Sequence, residues 1–215
     1  MIDGPRLAPA SGSAPRNLVV FLHGYGADGN DLIGLGREWA KTMPATAFVS
    51  PNAPQLCAGA PMGRQWFPLT MRDPHEFARG VVAARPGFDE FLGAELKRHG
   101  LDESACALVG FSQGTMLALH AGLLRERRLA GILGFSGLLA DPKALKAGPI
   151  QKPPILLIHG DRDDLIPVAA IFSAAQGLAA ADIPVEWHIS QGIGHGIAPD
   201  GLELGAKFLK RVLPR

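Results

Sequence analysis

Val109-Gly110-Phe111-Ser112-Gln113-Gly114-Thr115 decides how this chain is read, because a serine flanked at two residues on either side by glycine suits a sharp strand-to-helix turn. Before it, Ala105-Cys106-Ala107-Leu108-Val109 is an apolar run that predicts a buried strand. After it, Met116-Leu117-Ala118-Leu119-His120-Ala121 predicts a helix packed on that strand. Gly110 and Gly114 would let strand and helix approach closely, while the turn would lift the serine hydroxyl above the sheet edge, beside backbone N–H groups. Strand, serine turn and helix together predict a nucleophile elbow.

The flanking sequence repeats the alternation. Asn17-Leu18-Val19-Val20-Phe21-Leu22 is apolar and stops at His23-Gly24-Tyr25-Gly26, predicting a fully buried strand closed by a tight loop. A helix over 31–41, a strand over 46–50, a helix over 86–100, strands over 129–135 and 154–159, a helix from Pro167 to about residue 181, a strand over 183–190 and a helix over 199–212 follow. Strands apolar throughout and alternating with helices predict an α/β fold with a mostly parallel central sheet covered on both faces. Residues 1–16, rich in Pro, Gly, Ser and Ala, read as a lead-in with a short edge strand near 5–9, and 17–215 as one domain without a large lid. Residues 51–84 read as a long loop containing Leu56, Met62, Trp66, Phe67 and Leu69. That loop could be pinned to the core by Trp66 and Phe67, or wall a substrate pocket, or do both.

Formal net charge is +1 and the basic residues are dispersed, so nucleic acid is not an expected partner. The 2 cysteines, Cys57 and Cys106, fall in a loop and a strand, a setting that suits a reducing compartment rather than a disulfide framework. The amino terminus lacks a signal-peptide pattern, and no apolar run approaches the ~18 residues that span a bilayer. A cytoplasmic chain is the expectation.

A serine hydroxyl becomes a nucleophile when an imidazole takes its proton and a carboxylate orients that imidazole. Of the 7 histidines, His195 lies in the flexible run Gly192-Ile193-Gly194-His195-Gly196 after the last strand, where it can be aimed across the sheet edge. His23 and His159 each end a strand before a glycine and suit a structural role. For the carboxylate, Asp161, Asp163 and Asp164 share one strand-end loop, and spacing does not choose among them. The order serine, aspartate, histidine is the one expected of an α/β-hydrolase. Backbone N–H groups of Tyr25 and Gln113 are placed to form an oxyanion hole.

With these residues assembled, the chain resembles the phospholipase/carboxylesterase family of small α/β-hydrolases, which includes acyl-protein thioesterases. The likeness rests on Leu22-His23-Gly24-Tyr25-Gly26-Ala27-Asp28, Arg64-Gln65-Trp66-Phe67, Gly110-Phe111-Ser112-Gln113-Gly114, His159-Gly160-Asp161-Arg162-Asp163 with Pro167, and Gly194-His195. The resemblance implies that Ser112 is the nucleophile, Asp163 the acid, His195 the base, and Tyr25 and Gln113 the oxyanion donors. It further implies a carboxylesterase acting through an acyl-serine without metal or organic cofactor, or an acyl-protein thioesterase or lysophospholipase on longer acyl chains. A non-catalytic binding protein on the same fold is the rival from another class. Leu56, Met62, Trp66, Phe67 and Leu69 are the candidate acyl-chain wall, for a small-molecule or lipid-like ester, and a homodimer is possible through the apolar 51–84 segment. Asp164, Thr115 and Gly196 depart from the family pattern, which commonly has proline, glycine and a small hydroxyl residue there.

Overall fold

The computed structural model describes residues 2–57, 60–70, 72–73 and 75–214. In chain order its elements are β1 (Arg6–Leu7), β2 (Asn17–Leu22), α1 (Gly29–Ala40), β3 (Thr46–Val49), β4 (Gln55–Cys57), β5 (Ala60–Gln65), α2 (Glu76–His99) and β6 (Cys106–Phe111). There follow α3 (Gln113–Leu123), β7 (Gly131–Phe135), β8 (Ile155–Gly160), α4 (Ala169–Ala179), β9 (Val185–Ser190) and α5 (Pro199–Val212). Seven strands form the main sheet in the order β1-β3-β2-β6-β7-β8-β9, with only β1 antiparallel to its neighbour.

Strand alternation divides the core in two. Leu18, Val20 and Leu22 of β2, with Cys106 and Leu108 of β6, pack on the face covered by α2, α3 and α4. Val19 and Phe21, with Ala107 and Val109, pack on the face covered by α1 and α5. Because both faces are covered, every residue of β2 is buried, which is why Leu18 to Leu22 read as an unbroken apolar run.

The elbow depends on two close approaches. A Cβ on Gly110 would lie 2.5 Å from the backbone N of Thr115, and one on Gly114 would lie 1.9 Å from the carbonyl oxygen of Leu22. No larger residue fits at either place without moving backbone. Thr115, bulkier than the glycine common there, is housed against Gly134 and Gly137, and its Oγ1 donates to the Phe135 carbonyl at 2.8 Å.

The reading of 51–84 as a long loop is corrected. The antiparallel pair β4–β5 lies within it, with Gln55 opposite Gln65 and Leu56 opposite Arg64, and α2 begins at Glu76 rather than Pro86. Proline inside a helix cannot donate to the carbonyl one turn back, which made Pro86 look like a start. Here Pro86 and Val82 lie on the exposed face, while Val81 and Phe88 are buried on the other face.

Candidate active site

Ser112 links β6 to α3 with φ 53°, in the left-handed region that a non-glycine residue adopts only when its surroundings enforce it. Its N–H donates to the Phe135 carbonyl at 2.9 Å, and its own carbonyl accepts from Thr115 and Met116 in the first turn of α3. The serine therefore sits at the positive end of that helix.

His195 lies in the loop between β9 and α5, and its Nδ1 is 2.7 Å from Oδ2 of Asp163. Its ring packs on that of Phe111, with centroids 5.0 Å apart, which sets the imidazole against the residue before Ser112. Asp163 is fully buried, and both oxygens are engaged. Oδ1 accepts from the N–H groups of Leu165 and Ile166 at 3.0 and 2.8 Å, while Oδ2 faces His195 and lies 3.2 Å from Nε2 of His159. His159 Nε2 also donates to the Ile166 carbonyl at 2.8 Å, as its expected structural role requires.

The three aspartates that spacing could not rank thus have different neighbours. Asp163 meets the imidazole, Asp164 is exposed, and Asp161 binds the histidine loop through Oδ1, which accepts from Gly192 and Ile193 at 2.6 and 3.2 Å. Ser136, which the sequence reading did not single out, holds the far end of that loop by donating to the Gly196 carbonyl at 3.2 Å. Its signal was position, since Ser136-Gly137 ends β7 as His23-Gly24 ends β2 and His159-Gly160 ends β8.

A second network fixes the loop carrying Tyr25. His23 is buried, accepts from the Ala53 N–H at Nε2 (3.0 Å), and therefore carries its proton on Nδ1, which donates to the Gly24 carbonyl at 2.8 Å. Burial pushes its pKa down, favouring this neutral form. Trp66 donates its indole N–H to the His23 carbonyl at 3.0 Å. The side chain of Gln113 accepts from the Trp66 N–H and donates to the Phe67 carbonyl, both at 2.8 Å. Arg64 pairs with the loop through its backbone, accepting from Gly26 and donating to Ala27. The loops after β2 and β6, which carry the two candidate oxyanion donors, are thereby tied to a common segment.

The chain matches the phospholipase/carboxylesterase family over residues 8–213. It belongs to that family. Among curated relatives, acyl-protein thioesterase 1 of Saccharomyces cerevisiae is 30% identical, with 99% of each chain covered. Esterase YpfH of Escherichia coli is 28% identical over 93% of this chain and 84% of its own length. A solved structure titled esterase PE8 shares 46% identity and a TM-score of 0.95, covering 99% of both chains.

Among the candidate wall residues, this phospholipase/carboxylesterase member separates buried from exposed. Trp66 and Phe67 are 1% exposed and belong to the core, Phe67 packing so closely on α2 that a Cβ on Gly80 would lie 2.2 Å from its ring. Leu69 is half-buried, and Leu56 and Met62 are 68% and 92% exposed. Met62 lines a shallow depression of about 580 Å³ with Gly26, Ala27 and Gly63, directly beside the Tyr25 loop. A larger groove of about 1320 Å³ runs between α2 and the 52–55 and 66–70 segments, with Trp66 and Phe67 in its lining, but Ser112, Asp163 and His195 do not border it.

Proposed function

We propose that the chain is a serine hydrolase that cleaves carboxylic esters through an acyl-Ser112 intermediate. The observation that carries the reading is the 2.7 Å contact of His195 with buried Asp163, on an imidazole packed against Phe111 beside the serine elbow. As the Ser112 oxygen attacks the ester carbonyl carbon, its proton passes to Nε2 of His195, the nitrogen that Asp163 leaves free. Asp163 holds the tautomer and steadies the imidazolium. The negative charge that develops on the carbonyl oxygen is taken by the N–H groups of Tyr25 and Gln113, each such donor contributing about 3 kcal/mol. His195 then returns the proton to the departing alcohol, and a water molecule, deprotonated by the same imidazole, releases the acid and restores Ser112.

The acyl wall is assigned to Leu56, Met62 and Leu69, with Trp66 and Phe67 supporting it from the core. The burial of those two supports the division, as does the place of Met62 beside the Tyr25 loop. The substrate is a small-molecule or lipid-like ester. A cytoplasmic setting is supported by Cys57 and Cys106, both buried and unpaired.

A second reading, an acyl-protein thioesterase or lysophospholipase, is favoured by the name of the yeast relative and by the exposed Leu56 and Met62, which a long chain could cover. Hydrolysis of p-nitrophenyl esters from acetyl to decanoyl distinguishes the two, because each CH2 buried contributes about 0.8 kcal/mol. Rates highest for short chains support the carboxylesterase reading, a maximum at long chains supports the second, and absence of hydrolysis favours a non-catalytic binding protein.

A further inference from the structure

The sheet ends at two unequal edges. β1, at one end, is 2 residues long, whereas β9, at the other, runs 6 residues in unbroken register with β8 from Val185 to Ser190. Among the described residues no strand pairs with its outer side. Long open edges are normally blunted by proline, by unpaired charged side chains, lysine above all, or by a bulge, because their free N–H and C=O groups template pairing with another chain. Val185-Glu186-Trp187-His188-Ile189-Ser190 contains neither proline nor lysine, its one carboxylate, Glu186, is paired with Arg211, and its pairing with β8 shows no bulge.

The flank of this edge is equally unguarded. Residues 165–181, which include all of α4, hold no charged side chain, although Ala169, Phe172, Ser173, Gln176, Ala179 and Ala180 are exposed along one helical face. At its border Phe172 and Trp187 meet edge to face, with centroids 5.4 Å apart, and remain 46% and 50% exposed. A helix face in contact with water over this length ordinarily carries charge.

The edge is complementary to itself. Trp187 lies on the α4 side of the sheet, whereas Glu186 and His188 lie on the α5 side, where they pair with Arg211 and Asp200. Run antiparallel against a second β9 about Trp187, the strand sets Val185 against the partner's Ile189, Glu186 against the partner's His188, and Trp187 against its own copy. Apolar residues face apolar ones on one side of the sheet, and an acid faces a histidine on the other. This is the isologous pattern that a two-fold interface requires.

We propose that β9 and the exposed face of α4 form a homodimer interface, in which a second copy of the chain extends the sheet antiparallel across a two-fold axis at Trp187. A lipid surface would call for unpaired cations around the aromatic pair, and α4 supplies none. The assignment does not depend on catalysis, because it is read as mass rather than turnover.

Sedimentation velocity over a micromolar concentration series tests it. The wild-type chain is expected to sediment as a dimer, and Trp187→Arg as a monomer with unchanged circular dichroism and ester hydrolysis. Amide hydrogen exchange in residues 185–190 is expected to quicken on dilution, a measurement that needs no variant. A wild type monomeric throughout, a dimer that persists in folded Trp187→Arg, or exchange at 185–190 indifferent to concentration would overturn the proposal.

Discussion

The backbone N–H of Trp66 donates to Oε1 of Gln113 at 2.8 Å, so the residue that follows the candidate nucleophile holds the segment that in turn holds the Tyr25 loop. Gln113 is fully buried, and its amide is the link between the β4–β5 pair and the elbow. Gln113→Ala keeps the backbone donor but strands the Trp66 N–H and the Phe67 carbonyl, each at roughly 1–3 kcal/mol. Urea denaturation should therefore show a loss of about 2–6 kcal/mol, accompanied by lower kcat. Gln113→Glu, which can still accept from Trp66, should fall between that variant and wild type in both measurements.

Asp161 and Asp163 should separate by the kind of defect they cause. Asp163→Asn disturbs the tautomer of His195 and should lower kcat by about 10^4. Asp161→Ala frees the Gly192 and Ile193 amides and should lower kcat by about ten- to a hundredfold, consistent with misplacement rather than lost chemistry. Because an amide oxygen can still accept both bonds, Asp161→Asn should restore most of that loss. Steady-state kinetics of the three variants on one ester checks the order.

Stability should fall on mild acidification. Burial lowers the pKa of both His23 and His120 from the ordinary 6.5. The unfolded chain therefore takes up protons near that pH while the fold resists them, so this contribution is present above 6.5 and is lost as pH falls toward the folded values. Melting temperature should drop between neutral pH and pH of about 5, and His120→Gln should show a shallower drop. An equal slope in that variant would remove His120 from the explanation.

How much of this was legible in the sequence follows from how local each signal is. Leu18 to Leu22 of β2 and the elbow strand were readable because burial on both faces leaves apolar residues there, and Ser112 because the close approaches beside it, Gly110 to Thr115 and Gly114 to the Leu22 carbonyl, admit only glycine. His195 was readable from its glycine loop. Asp163 was separable from Asp161 and Asp164 only by the family resemblance, because the distinguishing contacts reach 32 residues ahead to His195 and to the Gly192 amide 31 residues ahead. The 51–84 segment was misread because Pro86 sits on the one helix face that tolerates it, and because β4 is 3 residues long and its pair with β5 leaves Leu56 and Met62 exposed. The buried network of Gln113, Trp66 and His23 left no trace in spacing, since its partners are 30 to 47 residues apart.

The central claim is that Ser112 becomes acylated. Intact-protein mass spectrometry after exposure to a fluorophosphonate, with peptide mapping, tests it most directly for wild type, Ser112→Ala and His195→Gln. The expected result is one stoichiometric adduct on Ser112, slow labelling in His195→Gln and none in Ser112→Ala. An unlabelled wild type, or an adduct of equal yield in Ser112→Ala, would contradict it.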